Sequence, residues 1–275
     1  MLKRSDIKKE AAKIVNEELT VDNSLFLYHE VCTNGIGYVD LMFKTDSIAP
    51  EQIPYLGLLK SVLGYVDTEN YTYGELFNEI NANTGGINCG VEVFDRADST
   101  EEFQAMFSVR GKALYTKMDF LFKMIGEILN SSKLEDTKRL YEIVASVKSR
   151  AQVNLTGAGH STAVLRAAAY SSPMAAFQDE MAGIGYYQFI EKLEKDFEQR
   201  KEETVEALCK LMKKILRPEN FMISYTGERE SLETVQKLAG AVKAGLGTEP
   251  VEKSKEKLTC TKINEGFKTS GQVQY

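Results

Sequence analysis

Two rhythms of apolar residues alternate along this chain. Where every second residue is apolar a strand is predicted, and where apolar residues recur every three or four positions a helix. Residues 24–32 and 36–44, rich in aromatic and β-branched side chains, read as strands. Between them Thr33-Asn34-Gly35-Ile36 places Asn-Gly in a two-residue turn. That pair tolerates the positive φ of a type I′ turn, so the two strands are expected to pair as an antiparallel hairpin. Pro50 opens a helix with the stripe Tyr55, Leu59, Val62 and Val66. Thr72 and Glu75 have the spacing of a capping box, so a second helix starts there, with Tyr73, Leu76, Phe77 and Ile80 facing inward. Gly85-Gly86 can close it.

Phe103, Ala105, Phe107 and Val109 share one face of a strand over 103–110, with a shorter partner over 87–94. From about Lys112 the period turns helical: Leu114, Met118, Leu121, Ile125 and Ile128, then Leu140, Ile143, Val144 and Val147. Residues 156–161 form a break of small side chains before an alanine-rich helix through Ala169, and Ser171-Ser172-Pro173 punctuates the chain. Two helical stripes follow, one through Ile190, Leu193 and Phe197, the other through Val205, Leu208, Met212 and Ile215. The polar run 198–204 between them reads as a solvated joint. Arg217-Pro218-Glu219-Asn220 stops the helix, 221–225 is a last strand, and a helix near 230–244 completes the series. The first nineteen residues read as an amphipathic helix. Antiparallel strand pairs with interspersed helices predict an α+β fold: a mixed, largely antiparallel sheet with helices packed mainly on one face. The charged, Pro250-containing stretch 249–257 is the best boundary, setting a connector at 249–275 apart from the domain that ends at 248.

Composition narrows the function. With 43% hydrophobic and 27% charged residues over 275 positions, the chain can build a substantial core. The net charge of -6 comes from mixed acids and bases, without a basic block that would suggest nucleic acid. Cys32, Cys89, Cys209 and Cys260 form no close cluster, which fits a reducing, cytoplasmic setting better than a disulfide framework. No apolar run approaches the roughly 18–20 residues of a membrane span. Lys3, Arg4, Lys8 and Lys9 alternate with Asp6, Glu10, Glu17 and Glu18, a mixture that suits neither a signal nor a transit peptide.

Three long segments, TNGIGYVDLMF at 33–43, LKSVLGYVDTENYTYGELFNEINANTGG at 59–86 and SSPMAAFQDEMAGIGYYQF at 171–189, resemble the insulinase (pitrilysin-type) metallopeptidases. The likeness is to the presequence-protease branch, in the peptidase-associated domain of the second half, and runs from about residue 20 to the end. It implies two similar halves that close around a peptide, zinc in the first half only, and a helical hairpin between them whose end corresponds to residues 1–20. The tail at 259–275 resembles the connection into the next domain, with Gln272-Val273-Gln274-Tyr275 alternating like its first strand.

The family's zinc motif is H-x-x-E-H, in which two His one helical turn apart hold the metal and the Glu acts on its water. Here His29 and His160 are the only histidines, so the motif has no counterpart. The resemblance implies that Gly57 and Ser61 stand for the two His and Lys60 for the Glu, and an ammonium there repels a metal. No catalytic or metal-binding residue is therefore expected in this chain, and zinc is expected in the catalytic half of a longer protein. His29 with Cys32, Gly157-Ala158-Gly159-His160 and the acidic residues Asp67, Glu69 and Glu75 read as structural, the second as a flexible turn and the third as a solvated face with one capping residue. Tyr65, Tyr71, Tyr73, Tyr186 and Tyr187 read as core rings with surface hydroxyls, or as a wall that touches peptide. The leading expectation is a non-catalytic domain that forms part of the substrate chamber of a zinc endopeptidase. Its partners would be the catalytic half and a peptide, without nucleic acid or membrane. The alternatives are a peptidase-like interaction or peptide-binding protein without protease activity, and an unrelated enzyme.

Overall fold

A third strand separates the two segments joined by the Asn34-Gly35 turn. The computed structural model describes residues 16–254, 256 and 258–268. In it β2 (Ser24–Glu30) and β3 (Ile36–Lys44) do not pair. Between them lies β6 (Phe221–Gly227), parallel to β2 and antiparallel to β3. The turn itself forms: Asn34 and Gly35 have φ of 54° and 81°, and Ile36 N–H donates to the Thr33 carbonyl at 3.3 Å. What the expected hairpin lacks is partnership, because the turn's N–H groups face Glu228, the residue after β6. Thr33, Asn34 and Gly35 donate to that carboxylate at 3.0, 3.1 and 3.3 Å. The Tyr115 hydroxyl donates to it as well. The alternately buried residues Phe221, Ile223 and Tyr225 suit β6 to this central place.

The real first hairpin lies upstream. β1 (Glu17–Val21) pairs antiparallel with β2 through Asp22 and Asn23, both at positive φ. The amphipathic helix expected over 1–19, and the linker end over 1–20, therefore do not extend into residues 17–20, which are strand; residues 1–15 lie outside the described residues. β4 (Ile87–Arg96) and β5 (Ser99–Leu114) form the second antiparallel pair as expected, and the six-stranded order is β1-β2-β6-β3-β5-β4. β5 runs through Lys112 to Leu114, where a helical period was expected, because β3 pairs with it to its end.

The helices are α1 (Ile53–Val62), α2 (Tyr73–Asn83), α3 (Met118–Ser131), α4 (Thr137–Gly157), α5 (Gly159–Ala169), α6 (Pro173–Ala182), α7 (Ile184–Lys195), α8 (Phe197–Ile215) and α9 (Leu232–Ala244). The Thr72–Glu75 capping box forms, but of the α2 stripe only Leu76 and Ile80 are buried while Tyr73 and Phe77 are half exposed. The polar run 198–204 is helical within α8. The joint falls instead at Asp196, and Thr204 is buried on the inner side. The small-residue break narrows to Ala158 between α4 and α5.

Val39, Leu41 and Phe43 of β3, Phe107 and Val109 of β5, and Ile223 and Tyr225 of β6 enter one core with residues of α1–α4 and α6–α9. The alternate residues of the same strands point the other way. On that opposite face Leu25, Tyr38, Phe94, Arg110 and Leu114 are exposed, whereas Met42, Met106 and Ser108 nearer its centre are buried. The fold is thus α+β, with a mixed, mostly antiparallel sheet covered by helices on one face. Among the described residues no helix is long and apolar enough to cross a membrane.

Candidate functional site

The α1 sequence, IPYLGLLKSV, is apolar on all sides, and a helix of that kind belongs in a core. Its backbone meets the corner between α6 and α7 at Gly57. A β-carbon there would lie 2.5 Å from the Met181 carbonyl oxygen and 2.7 Å from the Tyr186 ring. An imidazole does not fit at this position. Ser61, one turn on, donates from its hydroxyl to the Gly57 carbonyl at 3.4 Å. Lys60 is partly buried; lost solvation lowers its pKa, and the charge of Glu92 on β4 opposes that shift. Burial drives the Tyr186 phenol up, only partly offset by Ser61 and Arg150, and its hydroxyl meets no hydrogen-bond partner of normal geometry among the described residues. Gly57, Lys60 and Ser61 thus share one helix packed near β4. Together they offer a packing contact, an ammonium and a hydroxyl bonded to the Gly57 carbonyl.

The other residues of interest are dispersed. His29 lies on the face of β2 away from the helices, opposite Thr226, whereas Cys32 lies beyond the end of β2 and is exposed. His160 sits in the first turn of α5, so the expected flexible turn is a helix junction. Of the acidic residues, Glu75 caps α2 through Thr72, Asp67 accepts from Tyr73 N–H at 2.8 Å, and Glu69 is exposed. Tyr65 and Tyr73 are about half exposed, and Tyr186 is buried. Tyr71 is partly buried, as is Tyr187, whose hydroxyl donates to Glu191 at 2.8 Å. Among the described residues no group of three or more His, Cys, Asp and Glu is placed to hold a metal.

The sheet face away from the helices carries further organised chemistry, none of it singled out by the sequence reading. In strand register Tyr38 on β3 stands between Lys112 on β5 and Thr226 on β6, and Asp40 stands between Arg110 and Ser224. The Arg110 guanidinium donates to Asp40 at 2.7 Å and pairs with Glu92 of β4 at 3.1 Å. Burial raises the Asp40 pKa against the pull of Arg110, and its second oxygen is buried without a partner among the described residues. Tyr38, Asp40, Arg110, Lys112 and Thr226, with the backbone of Gly86, line an open hollow of about 220 Å³. The available signal was alternation, since each polar residue is the neighbour of a core residue such as Val39, Leu41 or Val109.

The family model for the associated domain of M16 peptidases, subfamily C, matches residues 1–193. Protein HypA of Clostridium perfringens is 34% identical over 275 residues, covering 100% of this chain and 28% of that protein. Presequence protease 1, chloroplastic/mitochondrial, of Arabidopsis thaliana is 26% identical over 236 residues, covering 86% of this chain and 22% of its own length. The chain therefore spans less than a third of either relative. Among solved structures, a peptidase M16 inactive domain from Pseudomonas fluorescens superposes with a TM-score of 0.56 at 15% identity, over 87% of this chain and 53% of that one. That likeness concerns the fold.

Proposed function

Because the chain belongs to the family of domains associated with M16 peptidases of subfamily C, as a non-catalytic domain of the presequence-protease type of insulinase peptidases, we propose that it walls part of the peptide chamber of a longer zinc endopeptidase. The observation that carries this reading is the division of the sheet into two unlike faces. One packs against helices; the other presents half-exposed rings, aliphatic side chains and a charged hollow. A surface of that kind contacts an extended chain without acting on it. Contacts remote from the reacting bond can still orient a substrate and limit what enters.

Zinc and the attacking water would come from the catalytic half, in a cytoplasmic setting. Gly57, Lys60 and Ser61 would stand where that half carries His, Glu and His. The close approach at Gly57 supports this, since the space a ligand needs is filled by Met181 and Tyr186.

The test compares the full-length native protein with this chain alone, by metal analysis and by cleavage of unstructured peptides. The expected result is one zinc and chelator-sensitive cleavage in the full-length protein, with neither in the isolated chain. A tightly held zinc in the isolated chain, with cleavage lost on chelation, would overturn the reading. A full-length protein that binds peptides but never cleaves them would leave a peptide-binding module.

A further inference from the structure

Among the described residues, Lys112 is the one charged side chain lining the hollow that no counter-charge meets. Asp40 and Arg110 satisfy one another, and Arg110 also reaches Glu92. Lys112 forms no ion pair or hydrogen bond through its ammonium among the described residues. It is nevertheless not a loose surface lysine. Its stem lies flat against the loop after α2, where a β-carbon on Gly85 would come within 2.6 Å of its Cγ and 2.7 Å of its Cε. The Gly85 N–H also donates to the Lys112 carbonyl at 2.7 Å. A side chain at position 85 would push the stem aside, and Gly86, at φ +105°, carries the chain past the rim of the hollow. A lysine whose stem already rests on the protein gives up less side-chain entropy when its ammonium is used.

From this arrangement we infer that the hollow is a carboxylate subsite, taking an acidic side chain or the free C-terminus of an extended peptide. The inference rests on the chamber-wall reading and gives that wall a substrate preference. Lys112 meets the carboxylate, the Thr226 hydroxyl offers a donor across the Tyr38 position, and the half-exposed Tyr38 ring receives an adjacent apolar group. Asp40 and Glu92 share this face and would repel a carboxylate, but both are tied to Arg110. Of the described residues around the hollow, Lys112 is therefore the cation left to act.

The test is binding of fluorescently labelled, unstructured peptides to this chain. Three matched peptides are needed: one with a central Glu and an amidated end, one with Gln and a free C-terminus, and one with Gln and an amidated end. The expected result is that one or both carboxylate-bearing peptides bind about two- to fivefold tighter than the neutral one. The advantage should shrink with added salt. It should vanish in Lys112→Gln and persist in Lys112→Arg. Which peptide is favoured identifies the source of the carboxylate. Equal affinities for all three, or a preference that survives Lys112→Gln, would overturn the subsite. Amide shifts on binding separate this failure from that of the parent reading. Shifts across Tyr38, Ser224 and Thr226 without charge preference sink the subsite alone, and shifts confined to the helical side, or no binding, sink the wall as well.

Discussion

A β-carbon at Gly57 would press on a backbone carbonyl at the end of α6 and on a ring buried at the start of α7, and neither can retreat without moving its helix. Alanine usually improves a helix interior by up to about 1 kcal/mol over glycine. Here the overlap should win, and Gly57→Ala should lower stability by about 1–3 kcal/mol. Denaturant unfolding measures it directly, and a variant as stable as the parent would mean that the α1 contact is loose. Lys60 offers a second test at this scale. Burial lowers its folded pKa below the ordinary lysine value of 10.5, so in the interval between the two the unfolded chain binds more protons than the folded one. Its contribution to stability therefore rises with pH across that interval. Lys60→Met should be more stable than the parent at neutral pH, with an advantage that narrows as pH climbs towards 10.5. An advantage that stays constant with pH would show that lysine desolvation is not its origin.

Between elements, Glu228 decides where the turn at Asn34-Gly35 leads. The Tyr115 hydroxyl, with N–H groups of Gly35 and Thr33, holds its carboxyl down at about 2, against an ordinary 4.5. A depressed folded pKa means stability that is present above the ordinary value and lost as pH falls through the folded one. Glu228→Gln should therefore be less stable than the parent at neutral pH. Urea midpoints should show that gap closing as pH drops from about 4.5 towards 2; a gap independent of pH would mean the charge is not what holds the turn. The same residues show which features were legible in the sequence. The Thr72–Glu75 cap and the β4–β5 pair were, because neighbours along the chain decide them. The strand beside β2 was not, because it arrives from position 221. Asp22-Asn23 turns the chain at positive φ without a glycine to announce it. The spacing of Leu114 to Met118 imitates a helix, yet Leu114 ends a strand. On the sheet face away from the helices, Asp40, Glu92 and Arg110 come from three strands, so no local pattern joins them. Gly57, Lys60 and Ser61 could be placed on one helix from spacing alone, but the close approach of Met181 and Tyr186 could not.

Across the whole molecule, the connector expected over 249–275 is held to the domain's surface at residues 249, 254, 258, 265 and 267, as expected of its tail; the strand-like end at 272–275 lies outside the described residues. Arg217 donates to the Glu249 carbonyl at 2.6 Å, and Ser254 N–H donates to the Ser47 carbonyl at 3.1 Å. Leu258 packs both on the main core and on the alanine cluster of α5 and α6. Glu265 then accepts from Arg166 at 2.6 Å and from the Tyr170 hydroxyl at 2.5 Å, while the Phe267 ring lies 5.9 Å from that guanidinium. Arg166 also pairs with Asp179, which is buried and accepts from Ile184 and Gly185 N–H at the start of α7. The connector therefore reaches, through one arginine, the corner against which Gly57 packs. Ending the chain at residue 248 should remove a half-buried leucine and one partner of a largely buried arginine, a loss of about 1–3 kcal/mol. The loss should be local as well as global: amide exchange should speed up in α5 and α6 before it does in the sheet. Glu265→Gln should reproduce a smaller part of it, because the contacts at Ser47 and Leu258 remain. If the shortened chain unfolds at the same denaturant concentration, with unchanged protection in α5 and α6, the segment merely rests on the surface and the domain is complete at 248.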